Sequence, residues 1–228
     1  MTYIKNNLYQ VRERIKFLTK YYGRASETIK LVAVSKNKSI SEIIEAINAG
    51  QQEFGENYVQ ECIEKIIKLK NYPKLQWHFI GHLQANKSRL IAENISWCHT
   101  IDGIKIAKRL NKQRPDFLPP LNVLIQINIS KEKNKFGILL EDLKELAQQV
   151  SSLPRLSLRG LMAVPTAYVD YYSQLEVYKK MALAFYSLQK KYPKIDTLSL
   201  GMSNDLDAAI AAGSNLVRIG TNIFGVRV

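Results

Sequence analysis

Hydrophobic residues recur along this chain with two periods, and the periods alternate. From Tyr3 to Tyr22 the apolar positions Ile4, Leu8, Val11, Ile15 and Leu18 lie three and four apart, which sets them on one face of an amphipathic helix. Beyond that helix, apolar runs of strand length return at residues 31–34, 53–54, 77–80, 98–101, 123–127, 158–162, 197–200 and 216–219. Helical spacing fills the gaps: Val59, Ile63, Ile66 and Ile67 after the second run, Leu143, Leu146, Ala147 and Val150 after the fifth, and Tyr178, Met181, Phe185 and Leu188 after the sixth. Ser39 followed by Glu42 is the signature of a capping box, and Gly50 closes that helix. A last helix is expected over 205–212, behind Ser203 and Asn204 as N-caps and before Gly213.

Strands that alternate with helices imply a parallel sheet with helical crossovers. Eight such units in a chain of 228 residues predict an α/β fold, a (β/α)8 TIM-type barrel with an extra N-terminal helix. Little sequence follows the eighth run, so the N-terminal helix is expected to cover the place of an eighth outer helix. One domain over 1–228 is expected, because barrels commonly run to about 200–250 residues undivided.

Composition narrows the picture. The chain is 46% hydrophobic and 23% charged, values that exclude disordered and low-complexity classes. No apolar run approaches the roughly 20 residues that span a bilayer, and the first residues carry no signal-peptide pattern, so a cytoplasmic protein is expected. Cys62 and Cys98 read as core positions, and His78, His82 and His99 lack metal-like companions. The net charge of +13 comes from lysines scattered along helix faces, and the densest run, Lys131-Glu132-Lys133-Asn134-Lys135, contains an acid. No nucleic-acid signature accompanies that charge. It suits a long-range pull on a small phosphate-bearing ligand better than a specific nucleic-acid partner.

The chemistry of such a barrel sits at the C-terminal ends of its strands. After the seventh and eighth runs, Gly201 and Gly220 let backbone amides approach an anion, and Ser203 and Thr221 add hydroxyl donors. Lys36 follows the first run at the barrel mouth, where partial desolvation favours a nucleophilic amine. Facing a phosphate site, it suggests a Schiff base to a sugar phosphate or to pyridoxal 5'-phosphate (PLP). A solvated loop lysine is the plain alternative, and Lys38 shares the same strand parity. Arg218 sits between Val217 and Ile219 in the eighth run, so it either points into the mouth or pairs with Asp205 or Asp207. Beside a pyridine nitrogen it cannot protonate the ring, which leaves the cofactor a weak electron sink. Tyr21-Tyr22 and Tyr171-Tyr172 read as boundary aromatics with wet hydroxyls.

Six blocks carry a resemblance. They are Leu31 to Lys36 (LVAVSK), Phe54 to Glu61 (FGENYVQE), Trp77 to Gln84 with Asn86-Lys87 (WHFIGHLQ…NK), Gly160-Leu161-Met162, Gly201 to Asp205 (GMSND) and Arg218 to Gly225 (RIGTNIFG). In order and over nearly the whole chain, they resemble the pyridoxal phosphate homeostasis proteins, relatives of the N-terminal barrel of alanine racemase. The resemblance implies a PLP-binding barrel with Lys36 as the Schiff-base lysine and with Ser203, Gly220 and Thr221 at the phosphate. It further implies Arg218 at the pyridine nitrogen and Asn57 on the hydroxyl side of the ring. Leu200 and Asn215 depart from the commoner Met and Thr, away from these contacts.

The function so implied is intracellular PLP (vitamin B6) homeostasis without established catalysis. A monomer would bind the cofactor reversibly and buffer it or deliver it to apo PLP-dependent enzymes. The alternative is a weak PLP-dependent amino-acid racemase. A two-base racemase needs an acid/base group on each side of the substrate Cα, and the resembled racemase takes its second one from a C-terminal domain not expected here. A module that binds nucleic acid or protein through the basic surface is the third reading.

Overall fold

Eight parallel strands pair in chain order, and the last closes on the first. The computed structural model describes residues 2–25, 29–166 and 170–225. The strands are β1 (Lys30–Val34), β2 (Glu53–Glu56), β3 (Gln76–Phe79), β4 (Trp97–Ile101), β5 (Leu121–Ile127), β6 (Leu156–Ala163), β7 (Thr197–Ser199) and β8 (Leu216–Ile219). Around them run α1 (Tyr3–Tyr21), α2 (Ile40–Asn48), α3 (Val59–Lys68), α4 (Ser88–Asn94), α5 (Ile104–Gln113), α6 (Leu143–Ser151), α7 (Tyr171–Lys191), α8 (Leu206–Ala211) and α9 (Thr221–Phe224). This is the TIM-type barrel that the alternating periods predict. Among the described residues no helix is long and apolar enough to cross a membrane.

The N-terminal helix takes the place expected of it. Ile4, Leu8, Val11, Ile15 and Leu18 are buried, and α1 packs against α8, α9 and α2. Since α8 precedes β8 and α2 follows β1, α1 fills the outer ring beside that strand pair. Asn7 donates to the Ile223 carbonyl at 2.9 Å and Arg12 to the Ala49 carbonyl at 2.8 Å, fixing both sides. The capping box forms with both of its hydrogen bonds. The last crossover helix is shorter than expected, because Asp205, not Ser203 or Asn204, stands at its N-cap. The Asp205 carboxylate turns back to accept from the Met202 amide at 2.5 Å and from the Tyr178 hydroxyl at 2.6 Å.

Strand register sorts the side chains into two faces. Val32 aligns with Arg218, Gly55 with His78, His78 with Trp97, and Met162 with Ser199. All of these face the barrel axis, since residues side by side in register share a face. Trp97, Leu124 and Met162 form a small apolar layer of their own inside the barrel. The main core lies between strands and helices.

Candidate functional site

β1 ends at Val34, and a turn carries Ser35, Lys36, Asn37 and Lys38 across the C-terminal mouth. Asn37 adopts φ +60°, so strand parity stops before Lys38. The two lysines separate as a result. Lys36 is half-buried at the end of β1, whereas the Lys38 ammonium reaches the Phe224 carbonyl at 3.0 Å and Glu42 at 3.3 Å, on the flank formed by α2 and α9.

The turn is clamped from behind by a charged cluster that local sequence does not announce. Lys65 of α3 is 4% exposed and Glu56 of β2 is fully buried. The Lys65 ammonium donates to the Ser35 carbonyl at 2.6 Å, to Glu56 Oε1 at 2.8 Å and to Glu61 Oε1 at 2.7 Å. Ser35 Oγ donates to Glu56 at 2.6 Å, and the Asn37 amide donates to Glu61 at 2.6 Å. Both neighbours of Lys36 in the chain are therefore pinned. Burial pushes the Glu56 carboxyl above its ordinary range, against the pull of Lys65 and Ser35.

Two of the other expected site residues, Asn57 and Gly220, flank this turn. Ser35 N donates to the Gly55 carbonyl at 3.0 Å, which brings the end of β2, and Asn57 just beyond it, alongside Lys36. A Cβ on Gly81 would sit 2.0 Å from the Asn57 carbonyl oxygen, so only glycine after β3 lets Asn57 occupy its place. On the opposite flank, a Cβ on Gly220 would lie 3.3 Å from both Cβ and O of Val34. The end of β8 thus lies directly against β1, two residues before Lys36. Gly220 is the N-cap of α9, and the first-turn amides of a helix have no carbonyl partner within it. Thr221 is exposed and Ser203 half-buried. The loop carrying Ser203 is tied to β8 by the bond from the Arg218 amide to the Gly201 carbonyl at 3.0 Å.

Arg218 lies inside the barrel, 3% exposed. Neither suggested carboxylate pairs with it, because Asp205 is held as described above and Asp207 accepts from the Tyr22 hydroxyl at 2.5 Å. Instead its Nη1 donates to the Ser199 carbonyl at 2.8 Å and to Ser199 Oγ, and its Nη2 donates to the Ala163 carbonyl at 2.9 Å. Burial lowers its pKa below the ordinary arginine value, yet a guanidinium keeps its charge in proteins. Tyr22 and Tyr171 are also bonded to one another through their hydroxyls, at 2.9 Å. This corrects the expectation of wet hydroxyls for these two, since α1 and α7 meet at α8, whereas Tyr21 and Tyr172 are exposed as expected.

Several further features escaped the sequence reading. His82 stacks on Phe136 with ring centroids 3.7 Å apart and stands 3.3 Å from Asp102, linking the loops after β3, β4 and β5. Burial raises the Asp102 carboxyl, while His82 pulls it the other way. Within the basic run, Lys131 pairs with Glu141 and Lys135 with Glu132, each at 2.7 Å. Gln126 of β5 is 9% exposed, and its Oε1, like Oδ1 of Asn57, is buried without a hydrogen-bond partner. Two orphaned amide oxygens are costly unless something satisfies them. An amine, these two amides, a glycine-lined helix start with nearby hydroxyls, and a buried cation make a donor set that fits a phosphorylated, ring-bearing aldehyde.

Comparison with known proteins agrees. Residues 7–228 match the family described as alanine racemase, N-terminal domain. The pyridoxal phosphate homeostasis protein of Escherichia coli (strain K12) is 59% identical over 229 residues, spanning 100% of this chain and 98% of that one. PipY of Synechococcus elongatus PCC7942, solved with PLP bound, superimposes with a TM-score of 0.84 at 32% identity, covering 97% of this chain and 100% of that one. Alanine racemase of Clostridium difficile 630 shares the fold, with a TM-score of 0.74 at 18% identity, over 99% of this chain and 57% of that one. With its barrel, its ordered motifs and its full-length likeness to the Escherichia coli protein, the chain belongs to the pyridoxal phosphate homeostasis protein family.

Proposed function

We propose that this protein binds PLP at the barrel mouth and serves PLP homeostasis in the cytoplasm, as a monomer that holds the cofactor reversibly and releases it to apo PLP-dependent enzymes. The observation that carries the reading is the clamped Lys36 turn, flanked by Asn57 and Gly220 above a buried Arg218. When bound, the cofactor supplies an aldehyde open to reversible capture by an amine. Lys36 is the residue that would hold it. Its half-buried place between two pinned neighbours supports that role. Ser203, Thr221 and the amides that follow Gly220 would receive the phosphate. Asn57 would meet the hydroxyl side of the ring, and Gln126 of β5 holds a second buried acceptor without a partner. Arg218 can donate to a ring nitrogen but cannot give it a proton, so it would hold the ring in its less electron-withdrawing form. That choice suits storage rather than turnover. Relatives at 50% identity and above carry the homeostasis name, whereas alanine racemase shares only the fold.

The test is an absorption spectrum of the purified protein, then borohydride reduction and peptide mapping. An absorption band lost on reduction, with the adduct on Lys36, is the expected result. A protein that stays colourless with added PLP, or an adduct on Lys38, would overturn the assignment. Transfer to an apo-enzyme without measurable racemisation of free amino acids distinguishes a carrier from a weak racemase.

A further inference from the structure

The barrel interior holds a line of five polar side chains that leads to Arg218, and the proposed function gives no role to the other four. It starts at Glu53 on β2, passes through His78 on β3 and His99 on β4, crosses to Ser199 on β7 and ends at Arg218 on β8. Glu53 Oε2 is 2.6 Å from His78 Nε2, His78 Nδ1 is 2.9 Å from His99 Nε2, and His99 Nδ1 is 3.2 Å from Ser199 Oγ. Ser199 Oγ in turn meets Arg218 Nη1. His78, His99 and Ser199 are fully buried.

The chemistry of the two ends gives this line a direction. A guanidinium has only donors, so Ser199 Oγ must accept from Arg218. At the other end the Glu53 carboxylate only accepts, so a neutral His78 carries its single proton on Nε2 and offers Nδ1 as an acceptor. His99 must then donate from Nε2, which leaves its Nδ1 to accept the one proton that the Ser199 hydroxyl has to give. Every bond points from the cation to the carboxylate, and both imidazoles are neutral. A second proton on His78 would set its Nδ1–H against the Nε2–H of His99, and one on His99 would turn the Ser199 hydroxyl away from the line.

We infer that Glu53, His78, His99 and Ser199 are positioning residues for Arg218, forming a one-way hydrogen-bond line that holds its guanidinium in a single orientation beneath the cofactor ring. The statement about the ring rests on the proposed PLP site; the direction of the line does not. Other groups around the line agree with it. Burial lowers the pKa of both histidines, most strongly that of His99, which also lies in the fields of His78 and Arg218. Lys30 adds its positive field to His78, and Trp97 stacks on the His78 ring at 5.5 Å. The Glu53 carboxyl, despite its burial, lies below its ordinary value through His78 and Lys30, as an accepting end requires.

The line is tested with full-length protein labelled with 15N at histidine, before and after loading with PLP. Long-range proton–nitrogen spectra should show His78 and His99 with the proton on Nε2 only, with His82 as the solvent-reached reference. Glu53→Gln, whose amide can donate as well as accept, should leave His78 and His99 mixtures of tautomers. Ser199→Ala should keep both protons on Nε2 but move the midpoint of the pH titration of bound-PLP absorbance by about half a unit or more, as the cofactor-facing charge shifts, and Ser199→Thr should restore that midpoint. A proton on Nδ1 of His78 or His99 in the parent, Glu53→Gln tautomers that match the parent's, or a Ser199→Ala midpoint that matches it, overturns the inference. Failure to take up PLP overturns the reading of the site, while the cofactor-free spectra still decide the direction of the line.

Discussion

Replacing Lys65 by methionine isolates the clamp behind Lys36. The substitution keeps the aliphatic stem but removes three hydrogen bonds, two of them to buried partners, and leaves the fully buried Glu56 without its cation. The bond to Glu61 counts for least, since that side chain is 24% exposed and pairs in better-solvated surroundings. Removing one member of a buried pair costs about 3–5 kcal/mol, a large part of a total stability of about 5–15 kcal/mol. At about 2–4 °C per kcal/mol for a chain of this size, the melting temperature should fall by roughly 6–20 °C.

The loss should also depend on pH, and its sign follows from Glu56. Its folded pKa is raised, so its contribution is fully present below the unfolded carboxyl value of about 4.3 and is lost as pH rises through the folded value. Without Lys65 the folded value climbs further. The deficit of Lys65→Met relative to the parent should therefore shrink as pH falls from about 8 to about 5. Urea unfolding at both pH values measures it. Adding Glu56→Gln should recover most of the loss, since the unpaired charge is then gone. A deficit below about 1 kcal/mol at the higher pH, or one indifferent to pH, would refute the account of a buried pair.

Two other expectations follow from the same geometry. Gly81→Ala should cost about 1–3 kcal/mol by overpacking and weaken PLP uptake, because its methyl would sit 2.0 Å from the Asn57 carbonyl; equal uptake with equal stability would show that Asn57 need not stay where it is. His78 and His99 have depressed pKa values, so the stability they contribute is present above the unfolded histidine value of about 6.5 and is lost as pH falls through the folded values. A stability profile for His78→Gln/His99→Gln as steep as the parent's below that pH would assign the acid loss to other groups.

Much of this molecule was legible along the chain. The strand runs, the buried stripe of α1 and the Ser39–Glu42 cap are all short-range patterns, and a residue's face in a strand or helix depends only on its neighbours. Chain direction then did more, because in a parallel barrel every strand end reaches the same mouth. That rule gathered Lys36, Asn57, Ser203, Gly220 and Thr221 before any coordinates. Only tertiary structure separates the surroundings of Lys36 from those of Lys38, since the turn at Asn37 breaks the parity that made them equivalent. Only it gave Arg218 carbonyl and serine partners in place of a carboxylate, or joined Lys65 to Glu56 behind the Lys36 turn. The line from Glu53 to Arg218 spans five strands whose residues lie up to 165 positions apart. Period and parity say that such side chains face inward; the register at which the barrel closes decides which of them touch.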